Sequence, residues 1–90
     1  MKKTIISVIG KDCVGITAEV SAICAKNGVN IIDISQSVME EMFVMVMMTD
    51  VSQMKCSLNE LKEQMNTLGA KMCLDIRVMH EDVFNSMHRI

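Results

Sequence analysis

An α+β fold of order β-α-β-β-α-β, closed by a short helical tail, is predicted by three features of this 90-residue sequence. Two segments carry apolar residues at helical spacing, and four others are β-branched or strictly alternating. Glu40-Glu41 makes a short turn between the two middle β segments. No linker, internal repeat or low-complexity stretch interrupts the order, which is that of the split-βαβ, or ferredoxin-like, sandwich.

Residues 3–10, Lys-Thr-Ile-Ile-Ser-Val-Ile-Gly, are rich in β-branched side chains and end in glycine, so they read as a strand followed by a turn. From Gly15 to Asn27 the period changes: Ile16, Val20, Ile23 and Cys24 share one helical face, and Asn27-Gly28 supplies the stop. After Val29 alternation returns, with Ile32, Ile34 and Val38 on one side and Asp33, Ser35 and Ser37 on the other. Such a strand has one face in the core. Met42 to Met48 is apolar on both faces, so it is placed centrally and needs a cover on its second side.

Ser57 and Glu60 form a capping-box signature ahead of Leu58, Leu61, Met65 and Leu68, a second helix expected to stop at Gly69. Met72, Leu74, Ile76 and Val78 then alternate with Cys73, Asp75 and Arg77 as a fourth strand. Glu81-Asp82 opens a short third helix whose Val83, Phe84, Met87 and Ile90 form an apolar stripe, with Arg89 near its negative end. Right-handed crossovers place both long helices on one face of a four-stranded antiparallel sheet, with the first and third strands in the middle. Ile5, Ile6, Val8 and Ile9 make the first strand apolar on both faces, as that order requires.

Composition narrows the function. A chain of 90 residues buries only about 60% of its unfolded surface, so a ligand site is expected in a surface cleft or between subunits. Net charge −2 and only two aromatics, Phe43 and Phe84, argue against nucleic acid. Cys13, Cys24, Cys56 and Cys73 form no CxxC pair and lie near no regularly spaced histidine, so they read as small buried residues rather than as metal ligands. Met1-Lys2-Lys3 and the apolar residues behind it imitate a signal peptide, but the run breaks at Lys11-Asp12 with no cleavage site. The longest apolar run is far short of the roughly 20 residues that span a membrane. A cytoplasmic protein with reduced thiols is the expectation.

The split-βαβ fold hosts many functions, so the residues must decide. A metal-carrying version needs paired cysteines after the first strand, where only Cys13 stands; a phosphate-cradling version needs an arginine there, yet the arginines are Arg77 and Arg89. His80 and His88, with Glu81 or Asp82, read as solvated surface groups. No nucleophile is paired with a base, so no enzyme is expected. What remains is the loop Gly10-Lys11-Asp12-Cys13-Val14-Gly15. Asp12 is placed to accept from the first amides of the following helix, amides that equally suit a ligand carboxylate, and Gly15 allows close approach or an unusual turn.

Gly10-Lys11-Asp12-Cys13-Val14-Gly15-Ile16, Gly28-Val29-Asn30-Ile31 and Asp33-Ile34-Ser35-Gln36 together resemble the ACT domain, over roughly residues 3–80. The whole chain is similar to short bacterial and archaeal proteins made of one such domain, here 1–80, and a C-terminal helical tail, 81–90. The resemblance implies a non-enzymatic regulatory module without a cofactor, binding an amino acid or related metabolite at a homodimer interface. By position Asp12, Cys13, Val14, Gly15 and Ile16 would line that site, with Asn30 and Ile31 contributed by a paired subunit. The chain departs from the common pattern in having Val14 where many members have proline, and Gly10 and Asp12 where some carry histidine or asparagine. A carboxylate at Asp12 favours a ligand's ammonium group and repels its carboxylate.

Pairing is also expected from the residues. The second strand leaves an open edge, and Met42 to Met48 leaves apolar surface to cover, so a homodimer or higher homo-oligomer follows, with the tail packed on the sheet or on the partner. The rival expectation is a ligand-free interaction subunit that docks a partner protein through its sheet face. Neither nucleic acid nor membrane enters either reading. The eleven methionines are read as adaptable core and interface filler.

Overall fold

The computed structural model describes residues 2–87, Met87 by its backbone alone. The elements are β1 (Lys3–Lys11), α1 (Ile16–Lys26), β2 (Asn30–Met39), β3 (Met42–Asp50), α2 (Leu58–Met72), β4 (Leu74–His80) and α3 (Glu81–Met87). The strands form one antiparallel sheet of order β2-β3-β1-β4, so the two doubly apolar strands are central as expected. This is the ferredoxin-like fold.

Register assigns the faces. Ile6 is opposite Met47 and Val78, and Val8 is opposite Met45 and Ile76; all are buried beneath α1 and α2. Ile16, Val20 and Cys24 from α1, and Leu61, Met65 and Leu68 from α2, close this core. Each fully buried aliphatic side chain there stabilises the fold by about 1.5–3 kcal/mol.

The other face is covered by α3. Its residues pack on β1 and β4, and Phe84 lines one cavity with Ile5, Val46 and Met48. Ile5, which points away from α1 and α2, is thereby only 1% exposed. Cover is incomplete at the far end, where Ile9 and Met42 remain exposed. His88, Arg89 and Ile90, which include the end of the expected apolar stripe and its cation, lie outside the described residues, as does Met1.

Four local expectations need correction. Gly69 does not end α2, which continues to Met72 and stops at Cys73 with φ 58°. A Cβ on Gly69 would meet the Leu74 carbonyl oxygen at 2.7 Å, so the glycine is there for close contact between α2 and β4. In β2 a register shift between Ile31 and Asp33 makes Ile32 the extra residue, and Ile31, Ile34, Gln36 and Val38 face the helix side. Met72 closes the helix instead of opening β4. Finally, only Cys24 is a buried cysteine: Cys13 lies in an exposed loop, Cys73 on an exposed helix end, and Cys56 is half-buried.

Candidate functional site

β1 ends at Lys11, and four residues, Asp12 to Gly15, carry the chain into α1. All four are exposed, and Val14 at the tip is 99% exposed. Gly15 has φ 90°, a left-handed conformation that disfavours any residue with a Cβ. An added Cβ would find nothing within 4 Å, so conformation, and not space, requires glycine here. The turn directs Ile16 inward, where it is buried against the core.

Asp12 does not cap α1. Gly15 is the N-cap, with no side-chain hydrogen bond to the first turn, and its carbonyl accepts from Glu19 N at 2.9 Å. The first amides of α1 therefore keep their positive end open, because Asp12 stands three residues before the cap and its backbone is held elsewhere. The Asp12 N–H donates to the Glu41 carbonyl at 2.7 Å, which ties the loop to the β2–β3 turn. That turn uses two residues, Glu40 at φ 47° and Glu41 at φ 71°, both in the left-handed region.

The helix side of β2 forms the flank of this loop. The Thr17 hydroxyl, on the first turn of α1, donates to Gln36 Oε1 at 3.3 Å. Val38 and Met39 beyond it are exposed. Gln36 stands in the Asp33-Ile34-Ser35-Gln36 stretch that carries the resemblance but not among the expected site residues, although it is a polar residue inside the stripe of Ile34 and Val38.

Asn30 and Ile31 are not near the loop within one chain. Asn30 opens β2 opposite Asp50, at the end of the sheet where β3 finishes, while the loop joins the end where β3 begins at Met42. The length of β3 separates them, roughly 25 Å. Asn30 is exposed and Ile31 half-buried. Among the described residues no three His, Cys, Asp or Glu side chains are grouped so as to hold a metal ion. No helix among them is long and apolar enough to cross a membrane.

A split-βαβ sheet with an open β1–α1 loop and an open β2 edge is the arrangement that the resemblance to the ACT domain implies. Comparison with known proteins agrees: the ACT domain family model matches residues 2–79, and the chain belongs to that family. It is similar to a UPF0237 protein of Clostridium perfringens, 50% identical over 86 residues that cover 96% of this chain and 97% of that one. Among solved structures it is similar to an ACT domain protein from Streptococcus pneumoniae, with TM-score 0.79, 36% identity and coverage of 92% and 93% of the two chains. The fold is shared with the regulatory subunit of aspartate kinase from Thermus thermophilus, at TM-score 0.65 and 23% identity over 86% of this chain and 50% of that one. ACT domains are regulatory, small-molecule-binding modules.

Proposed function

We propose that this chain is a homodimeric sensor of an amino acid or closely related metabolite, bound between the Asp12–Ile16 loop of one subunit and the Asn30–Ile31 segment of its partner. The observation that carries the reading is the uncapped start of α1 beside Asp12. Open amides attract a carboxylate, and an exposed aspartate attracts an ammonium group. An amino-acid zwitterion presents both charges within one small molecule, which resolves the conflict that a capping Asp12 would have created.

The edge strand supports the second subunit. Nine of the ten β2 residues are exposed, among them Ile32, Ile34, Val38 and Met39, and the strand has neither proline nor lysine to discourage pairing. Antiparallel pairing of two β2 strands about a two-fold axis sets the start of each strand beside the end of the other. The partner's β2 start is thereby carried toward this chain's loop. Binding would bias the angle between subunits only insofar as the ligand prefers one geometry.

The alternative, a ligand-free subunit that docks a protein partner through its sheet face, draws on the exposed Ile9 and Met42 that α3 leaves open. Thermal shift against the twenty amino acids separates the two. A ligand at about 100 times its dissociation constant adds about 2.7 kcal/mol, on the order of 10 °C or more for a domain this small. No shift with any of them, together with Asp12→Ala leaving partner capture intact, would favour the docking subunit.

A further inference from the structure

A second cleft lies at the end of the molecule opposite the Asp12 loop, between the start of β1, the β3–α2 connection and the end of β4. Its volume is about 550 Å³, and its lining includes Lys2, Thr4, Val51, Met54, Leu58 and His80 together with Ser52, Cys56 and Ser57. That size is within the usual range for small-molecule sites.

Thr4 is the informative residue. It is only 2% exposed and lies on the helix side of β1, opposite Thr49 and His80. Its carbonyl accepts from Thr49 Oγ1 at 2.8 Å, but its own hydroxyl makes no hydrogen bond among the described residues. No side-chain polar atom among them is both sealed from solvent and unpartnered, so the Thr4 hydroxyl reaches the cleft. Facing the cleft, that hydroxyl exchanges hydrogen bonds with solvent and is free to donate to a ligand instead.

The other available groups are also donors. The Asp82 main-chain N–H donates to His80 Nδ1 at 3.1 Å, which puts the ring proton on Nε2. Asp82 Oδ2 lies 3.6 Å from the same ring nitrogen, which leaves Nε2 as the ring position without a protein partner among the described residues. The Lys2 ammonium has no carboxylate partner among the described residues. Two nearby carboxylate oxygens are engaged: Ser52 N donates to Asp50 Oδ1 at 2.9 Å, and Ser57 Oγ donates to Glu60 Oε1 at 3.1 Å. The capping box also occupies the start of α2, so Lys2, Thr4 and His80 supply the polarity and Val51, Met54 and Leu58 the apolar wall.

From this arrangement we propose that the cleft is a second binding site, specific for a monocarboxylate with a short aliphatic tail. Its carboxylate meets Lys2, the Thr4 hydroxyl and His80 Nε2–H, and its tail lies on Val51, Met54 and Leu58. Lys2 is the one lysine or arginine in the lining, so a second negative charge on a ligand finds no cation there. The site is independent of the amino-acid site proposed above, so either can fail alone.

The test is a titration of the full chain with isovalerate, followed by amide chemical shifts, with acetate, isovaleramide and inorganic phosphate as separate arms. We expect saturable shifts at Lys2, Ser52, Cys56 and Leu58 with isovalerate, and binding weaker by about tenfold or more with acetate, which lacks the tail. Isovaleramide and phosphate should produce no saturation. Thr4→Val, which keeps the shape, and Lys2→Met, at an exposed position, should each weaken isovalerate by about tenfold. Shifts confined to the Asp12–Ile16 loop, equal response to acetate, or unchanged affinity in both variants would overturn the proposal.

Discussion

Asn27 and Gln64 pair their side-chain amides reciprocally across the α1–α2 contact: Asn27 Nδ2 donates to Gln64 Oε1 at 2.7 Å, and Gln64 Nε2 donates to Asn27 Oδ1 at 3.3 Å. Asn27 is buried, its Nδ2 also donates to the Ile23 carbonyl at 2.8 Å, and its own carbonyl accepts from Lys55 N at 2.8 Å. One residue thus closes α1, holds α2 and anchors the connection from β3. Asn27→Ala should cost about 2 kcal/mol, and Gln64→Ala about 1 kcal/mol. Urea denaturation of both single variants and the double variant checks this; a coupling energy below about 0.3 kcal/mol would mean the pair does not hold the helices together.

Gly69→Ala tests the contact between α2 and β4. In an ordinary helix interior alanine is better than glycine by about 1 kcal/mol. Here the added Cβ would sit 2.7 Å from the Leu74 carbonyl oxygen, a backbone atom that moves only if the strand moves. The sign should reverse, to a net loss of about 1–2 kcal/mol. Gly15→Ala should lose about 1 kcal/mol through its φ of 90° alone, with unchanged packing by NMR. A more stable Gly69→Ala protein would refute the close-contact explanation.

Much of this was legible in the sequence because periodicity reports burial. Ile5, Ile6, Val8 and Ile9 revealed a central strand, and Ser57 with Glu60 located the start of α2. Gly69 misled because glycine marks both a helix end and a close approach, and only the neighbouring strand tells them apart. The bulge at Ile32 was hidden because one extra residue changes which side chains share a face without changing composition. At the site, the loop was visible in Asp12 to Ile16, but the distance from Asn30 was not, since strand register determines it and local sequence does not.

The turn at Glu40-Glu41 is a place where the chain has room to gain stability. Both residues adopt positive φ, where Asn-Gly is the favoured pair in a two-residue hairpin. Replacing Glu40-Glu41 by Asn-Gly should stabilise the protein by about 1 kcal/mol or more. That corresponds to a rise in Tm of about 4–8 °C. An unchanged Tm would show that the glutamates make a compensating contact.

Cys24 should be chemically silent and yet make stability depend on alkaline pH. Burial, at 0% exposure, pushes its thiol from 9.0 up to about 11. Below pH 9 both folded and unfolded chains keep the proton, so the full contribution is present. As pH rises from 9 toward 11 the unfolded chain loses the proton first, and stability falls. Urea midpoints measured at pH 8.5 and 10.5 should therefore drop less in Cys24→Ala than in the parent. Under native conditions a thiol reagent should label Cys13 and Cys73 promptly and Cys24 only as fast as the fold opens.

The proposed β2 pairing predicts how the protein behaves in light scattering. The parent should scatter as a dimer at micromolar concentration, and Ser35→Lys with Ser37→Lys as a monomer with the same circular dichroism, because both positions are exposed on the edge strand. Mixing supplies a second check. Asp12→Ala and Asn30→Ala chains that each fail to bind should recover roughly a quarter of the sites when subunits exchange at random, one intact site in each mixed dimer. No recovery after demonstrated exchange would rule out a site shared between subunits.

The hydrogen bond from Asp12 N to the Glu41 carbonyl places the sensing loop and the pairing edge on one lever. β2 ends in the turn that holds Asp12, so a neighbour that stiffens the strand also stiffens the loop. Part of the entropy a ligand would otherwise lose in ordering that loop would already be gone in the assembled protein. Dilution that separates the subunits should then weaken ligand binding twice over, by removing the partner's residues and by slackening the loop that remains.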